Sequence, residues 1–189
     1  MNTTVGDSMS VSEAELLIAR FYEPGSTLSD ILLNHSRSVA DKAIEINRHC
    51  ALGLNEDAVR VAALLHDVGI FLTDAPGIHC HGTEPYIRHG ILGAALLRNE
   101  GVPEWVARAA ERHTGAGITA ADIAEKGLPL PQIDLVPETL LEKLICYADK
   151  FYSKSGDMKE KSLQRIRASI ESHFPESLQR FEDLHKLFS

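Results

Sequence analysis

Ala62-Ala63-Leu64-Leu65-His66-Asp67-Val68-Gly69 sets the terms on which the rest of this chain is read. An apolar, helix-forming run ends in an adjacent His and Asp, and a Gly follows almost at once. A buried face does not accept two neighbouring ionisable side chains unless something pairs with them. The spacing of polar residues elsewhere indicates what the partner is.

Residues four apart share a helix face. His35 falls on the row Ile31–His35–Val39, and His66 follows Val59 and Ala62. His89 precedes Gly93 and Leu97, His113 follows Val106, Ala109 and Ala110, and Asp149 ends the row Leu141–Ile145–Asp149. Five helices thus direct an imidazole or a carboxylate inward, and Asp67 makes a sixth group. A single such residue is ordinarily a hydrogen-bonded core histidine, a cap or a salt-bridge partner. Six such groups spread over five helices of one small domain are satisfied together by a buried cation centre. Four His and two Asp without Cys form a nitrogen-and-oxygen donor set, suited to Fe, Mn, Co, Ni or Zn. Six groups exceed what one tetrahedral ion with an open position uses, so two ions bridged by Asp67 are expected.

The whole chain bounds this reading. Its 189 residues, 44% hydrophobic, suit one globular domain with a real core, and 6% aromatics favour helices over a β-sandwich. A net charge of −8 argues against nucleic-acid polymers and anionic membrane surfaces as partners. Cys50, Cys80 and Cys146 are widely spaced and give no disulfide framework, which points to a reducing cytoplasm. No signal pattern opens the chain, and no apolar run approaches the roughly 20 residues needed to span a bilayer.

Capping and breaker residues divide the chain into helices. Residues 1–9 are polar and read as loose. Helices are expected at about 10–22, 27–50, 55–66, 87–100, 103–113 and 119–127. One opening at Pro137 runs through about Tyr152, and two amphipathic helices finish the chain at about 158–172 and 175–188. Residues 70–86 read as a long irregular loop, and no β-strand is expected. The class is all-α, a compact helical bundle with extra C-terminal helices. It divides into an N-terminal helix packing on the domain (1–26), a metal-site domain (27–153) and a C-terminal extension (154–189). The stripe Phe174, Leu178, Phe181, Leu184 and Leu187 packs either within the chain or against a second subunit, leaving a homodimer open.

With these residues in place, the chain resembles the HD superfamily of metal-dependent phosphohydrolases over about residues 27–153. The family pattern of a His, an adjacent His-Asp and a distant Asp matches His35, His66-Asp67 and Asp149. Two intervening His, matched by His89 and His113, mark its binuclear branch. The segments Asn34–Ala40, Leu64–Gly69 and Tyr147–Lys150 read as HD-type, and His89–Gly93 through Glu111–Gly117 is similar to a group of uncharacterised HD hydrolases. A related branch hydrolyses diadenosine tetraphosphate. A Lys frequent in the family shortly after the His-Asp is replaced here by Ile70-Phe71.

The resemblance implies the following. His35, His66, Asp67 and Asp149 hold one metal and Asp67, His89 and His113 the other, with His66 and Asp67 central to catalysis. A metal-activated hydroxide attacks phosphorus of a small phosphorylated substrate, a nucleotide or similar ester or anhydride. Arg37, Arg88, Arg112 and Lys150, each beside a proposed ligand, are candidate substrate contacts, although flanking cations are ordinarily solvated. His79-Cys80-His81 reads as pocket rim, and Trp105 and Tyr147 are candidates for stacking on a base. Two alternatives use the same residues, a mixed-valent di-iron oxygenase and a non-catalytic nucleotide-binding module.

Overall fold

The computed structural model describes residues 8–156 and 158–189. Residues 1–7, most of the stretch expected to be loose, and Asp157 lie outside the described residues. Helix α1 (Val11–Phe21) opens on a capping box, in which the Ser10 side chain accepts from the Glu13 N–H and Glu13 accepts from the Ser10 N–H. Ser26 caps α2 (Thr27–His49) and Asn55 caps α3 (Glu56–Leu65). Helices α4 (His89–Asn99), α5 (Glu104–Arg112), α6 (Ala120–Lys126), α7 (Leu140–Asp149), α8 (Leu163–His173) and α9 (Leu178–Leu187) complete an all-α bundle.

Two helix starts differ from expectation for a local reason. Helix α7 begins at Leu140 because the Thr139 side chain accepts from the Glu142 N–H, which leaves Pro137 outside the helix. Helix α8 begins at Leu163 because Ser162 caps it, and Pro175 sits in a 3-10 turn ahead of α9.

The 70–86 segment corrects the expectation of no strand. It carries β1 (Thr73–Ala75), β2 (Cys80–His81) and β3 (Glu84–Pro85), joined in the order β2-β1-β3. Strand β1 runs antiparallel to β2, with Asp74 opposite His81, and parallel to β3, with Thr73 opposite Glu84. Strands of two or three residues are too short for alternation to reveal.

Helix α3 lies at the centre, and residues 61–70 are buried without interruption. Val59, Ala62 and Ala63 join a core with α2, α7, α8 and α9, while Val61, Leu64 and Leu65 join a second core with α1, α4 and α5. The His66-Asp67 corner therefore emerges between two cores. The C-terminal stripe packs within the chain: Phe181 and Leu184 are buried beside Ile145 and Tyr147, and Phe188 is buried where Leu187 stays exposed.

A close approach locks α4 to that corner. A Cβ on Gly69 would lie 2.4 Å from the backbone O of His89 and from the backbone N of Gly93. Only glycine lets the two backbones meet there. The three cysteines are free, and among the described residues no helix is long and apolar enough to cross a membrane.

Candidate metal centre

The helix ends deliver the site. His66 directly follows α3 and His113 directly follows α5, His89 is the first residue of α4, and Asp149 is the last of α7. His35 comes from within α2, and all six proposed ligands are buried.

Asp67 is the hub. Its Oδ2 lies 3.1 Å from His35 Nε2 and 2.9 Å from His66 Nε2. Its Oδ1 lies 3.4 Å from His89 Nε2 and 3.3 Å from His113 Nε2. Asp149 Oδ1 closes the first side at 3.0 Å from His35 Nε2 and 3.4 Å from His66 Nε2. Two groups result whose donor atoms lie within 4.8 Å of one another: His35, His66, Asp67 and Asp149, and Asp67, His89 and His113.

Three rings are fixed in the same way. The Nδ1–H of His66 donates to the carbonyl of Ala63 at 2.6 Å, that of His89 to Tyr86 at 2.7 Å, and that of His113 to Ala110 at 2.7 Å. A carbonyl can only accept, so Nδ1 carries the proton and, in the neutral ring, Nε2 presents a lone pair inward. The arrangement tests whether a cation fits. The Nε2 atoms of His89 and His113 face each other at 3.0 Å, lone pair to lone pair. Both carboxylate oxygens of Asp67 and the Nε2 of His66 are fully buried, with ring nitrogens, Asp149 and the Lys154 ammonium as their polar neighbours. One ammonium, that of Lys154, does not satisfy four inward imidazoles and two carboxylates, and the clustered groups suggest a divalent metal site.

Burial opposes ionisation of Asp67, but His66 and Lys154 outweigh it and hold the carboxyl well below its usual range. Burial likewise opposes charge on Asp149, where Lys150 and Lys154 prevail. On His66 burial is overcome by the Asp67 and Asp149 carboxylates, which raise its pKa to about 9. His89 moves the other way, to about 3, through burial and the neighbouring His113.

A cavity of about 620 Å³ opens beside this centre. Asp149 and Lys150 line it, with Tyr86, Gly115, the 75–78 turn, residues 152–155, Lys161 and part of α8. Lys150 Nζ lies 2.7 Å from Asp149 Oδ2 and donates to the His113 carbonyl at 3.3 Å, so of the four candidate cations it alone faces the cavity. Arg37 is exposed, pairs with Glu15 at 3.6 Å and lines a separate small groove beside Tyr22. Arg88 is engaged by Glu84, and Arg112 by Glu138 at 2.6 Å and the Val136 carbonyl at 3.2 Å. Their sequence neighbours are proposed ligands, but the backbone turns these arginines toward local acids. His79 and His81 are exposed and line no part of the cavity, whereas Ala75, Gly77 and Ile78 form its rim. Tyr147 is buried with its hydroxyl 2.7 Å from His185 Nδ1, and Trp105 packs against both cores.

Two residues escaped the sequence reading. Lys154 Nζ lies 2.6 Å from Asp67 Oδ2, and its side chain is 11% exposed. Nothing in the polar run Ser153-Lys154-Ser155 distinguishes it from a solvated lysine. Tyr86 stacks on His89 at 4.6 Å between ring centroids, and its carbonyl fixes that imidazole. Its position three residues ahead of a ligand is the signal that would have found it.

Comparison with known proteins places this geometry. The HD domain family model matches residues 32–153. The chain is 34% identical over 161 residues to a tRNA (cytidine(56)-2'-O)-methyltransferase of Thermoplasma volcanium, covering 85% of this chain and 43% of that protein. A protein of the same name from Picrophilus torridus is 31% identical, with 85% and 42% covered. The chain thus spans less than half the length of these two relatives. An uncharacterised protein of Methanocaldococcus jannaschii is 38% identical over 124 residues, 64% of this chain and 66% of that one. Among solved structures, the crystal structure of the L. monocytogenes phosphodiesterase PgpH HD domain superposes with a TM-score of 0.53 at 18% identity, covering 88% of this chain and 96% of that chain. That likeness is one of fold.

Proposed function

The chain belongs to the HD domain family, and on that premise we propose that it is a metal-dependent phosphohydrolase that cleaves a phosphate ester or anhydride of a nucleotide or similar small molecule. The observation that carries this reading is the sharing of Asp67. One buried carboxylate faces two imidazoles through each of its oxygens.

His35, His66, Asp67 and Asp149 would hold one divalent ion, and Asp67, His89 and His113 a second. Bound there, the ions supply Lewis acidity that brings a water's pKa toward neutrality and draws charge from phosphoryl oxygens. The donor set suits Fe, Mn, Co, Ni or Zn. Every other role falls to the chain. The Lys154 ammonium, 2.6 Å from Asp67 Oδ2, favours the ionised form of Asp67. The three carbonyl-fixed imidazoles keep their Nε2 atoms inward without reorganisation. Lys150, anchored by Asp149 and the His113 carbonyl, presents positive charge to the cavity, where a phosphoryl group would meet it. Burial of the ligands keeps bulk water from all but the cavity side. A small-molecule substrate and a cytoplasmic location complete the reading; the activity in the methyltransferases' name is theirs.

The test is phosphate release by manganese-loaded protein from nucleotides, dinucleoside polyphosphates and p-nitrophenyl phosphate. Release that stops on chelation and returns with manganese is expected. A fully loaded protein that frees no phosphate from any of them overturns the proposal.

A further inference from the structure

The cavity has walls of two origins. The metal-facing side comes from residues within the HD match, Tyr86, Asp149 and Lys150 among them. Much of the remaining lining comes from beyond residue 153, from Lys154, Lys161, Ile166, Ile170 and Phe174 among others. A backbone hydrogen bond from Lys161 N to the Phe151 carbonyl, 2.7 Å long, closes the intervening segment and sets both lysines at the cavity.

The ammonium groups are not evenly matched by acids. Lys154 is held on Asp67 and Lys150 on Asp149. Lys161 is partly buried, and among the described residues no carboxylate lies within ion-pair distance of it; burial lowers its pKa. Three lysines therefore face two carboxylates, a surplus of positive charge before any metal is present. Both carboxylates are also proposed ligands, so an ion bound to them widens the surplus. Of the groups around the Asp67 carboxylate, Lys154 alone also lines the cavity, on a flexible stem that can swing toward it.

We propose that Lys150, Lys154 and Lys161 form an anion-binding wall that selects a doubly charged terminal phosphate, so that the substrate is a small phosphomonoester or terminal-phosphate anhydride rather than a singly charged phosphodiester. The wall is Lys-built, a set of point charges without the planar fork of Arg, and so answers to the charge of the phosphate more than to its shape. The apolar ledge of Ile166, Ile170 and Phe174 takes the organic part, and the cavity volume lies within the roughly 300–1,000 Å³ of small-molecule sites. Two of the three lysines and the whole apolar ledge thus sit in the segment that the HD match leaves out. The inference rests on the phosphohydrolase reading for the identity of the anion as a substrate.

The test is titration calorimetry of manganese-loaded protein at pH 8 with two inert probes, inorganic phosphate as the dianion and dimethyl phosphate as the monoanion. Inorganic phosphate should bind wild type at least about tenfold more tightly. Lys161→Met should weaken it about fivefold or more and leave dimethyl phosphate within about twofold. Lys154→Met should act likewise, and Lys154→Arg should restore most of the loss. Metal content and melting temperature, measured for every variant, separate these effects from misfolding. Equal binding of the two probes by wild type, or phosphate affinity unmoved in both methionine variants, overturns the wall. If charge discrimination is found but no substrate yields phosphate, the hydrolase reading falls and the anion wall stands. If monoesters and diesters are cleaved alike and the lysine variants keep their KM, the wall falls and the hydrolase stands.

Discussion

The cluster of proposed ligands and the lysine-bearing segment that lines the cavity beside it meet at Lys154 but are built on opposite plans. Each proposed ligand sits in or at the end of a helix, or at the corner that follows α3, and three of the four imidazoles are held by a carbonyl three residues back. Lys154 and Lys161 hang from a segment between α7 and α8 that has no helix of its own. Coordination demands atoms placed to a few tenths of an ångström, which rigid elements supply. A phosphate can be met by long side chains that adapt, which a loop supplies. The difference makes the two regions unequal in their tolerance of change.

Asp67→Asn attacks the rigid region at its hub and carries the largest expected effect. The amide keeps the shape but loses the charge, and its NH2 turns hydrogens toward two of the four imidazoles. Outer-shell ligand partners alone are worth about 10–100-fold in metal affinity or activity. Loss of the shared carboxylate should cost about a thousandfold or more in phosphate release. Bound metal should fall from two ions per chain to at most one by elemental analysis. Retention of both ions would end the idea that Asp67 joins two sites.

Backbone contact sharpens the comparison next. In Gly69→Ala the new methyl meets the backbone O of His89 and the backbone N of Gly93 at 2.4 Å, with no flexible side chain to give way. Helix α4 must shift and take His89 with it. The expected cost is about 3 kcal/mol, read as a fall in melting temperature of about 10 °C. On the cavity rim, a methyl added to Gly77 would meet nothing within 4 Å, and the φ of that residue is not left-handed. Gly77→Ala should therefore stay within about 0.5 kcal/mol of wild type. Similar losses at both positions would erase the distinction between a fixed core and a forgiving rim.

How far each region could be read from sequence follows from the same contrast. The helices announce themselves through caps such as Ser10, Asn55 and Thr119, and the six inward groups through helical spacing. Those signals are local, and the structure brings the six groups together. The small sheet in 70–86 was not legible, because its pairing is set by contacts such as that of Thr73 with Glu84 rather than by alternation. Lys154 was not legible either, since it approaches Asp67 across 87 positions of sequence through a loop without period. Adjacency to a ligand was the substitute signal, and it suggested Arg37, Arg88 and Arg112, each of which the fold pairs with a nearby acid.

Arg37 makes that last point testable with the smallest expected effect. It lies two residues past His35, so on an α-helix its side chain points well away from the face that carries His35 inward. It is more than half exposed, and its partner Glu15 is nearly half exposed at a separation of 3.6 Å. An ion pair of that kind is worth little, about 0–1 kcal/mol, because water and salt screen it. Arg37→Ala should leave KM for a phosphate substrate within about twofold and stability within about 0.5 kcal/mol. Lys154, far from any ligand in sequence terms but for Asp149, should do what Arg37 does not. A rise in KM for Arg37→Ala matching that of Lys154→Met would mean that neighbourhood along the chain, and not the face of the helix, decides which cations meet the substrate.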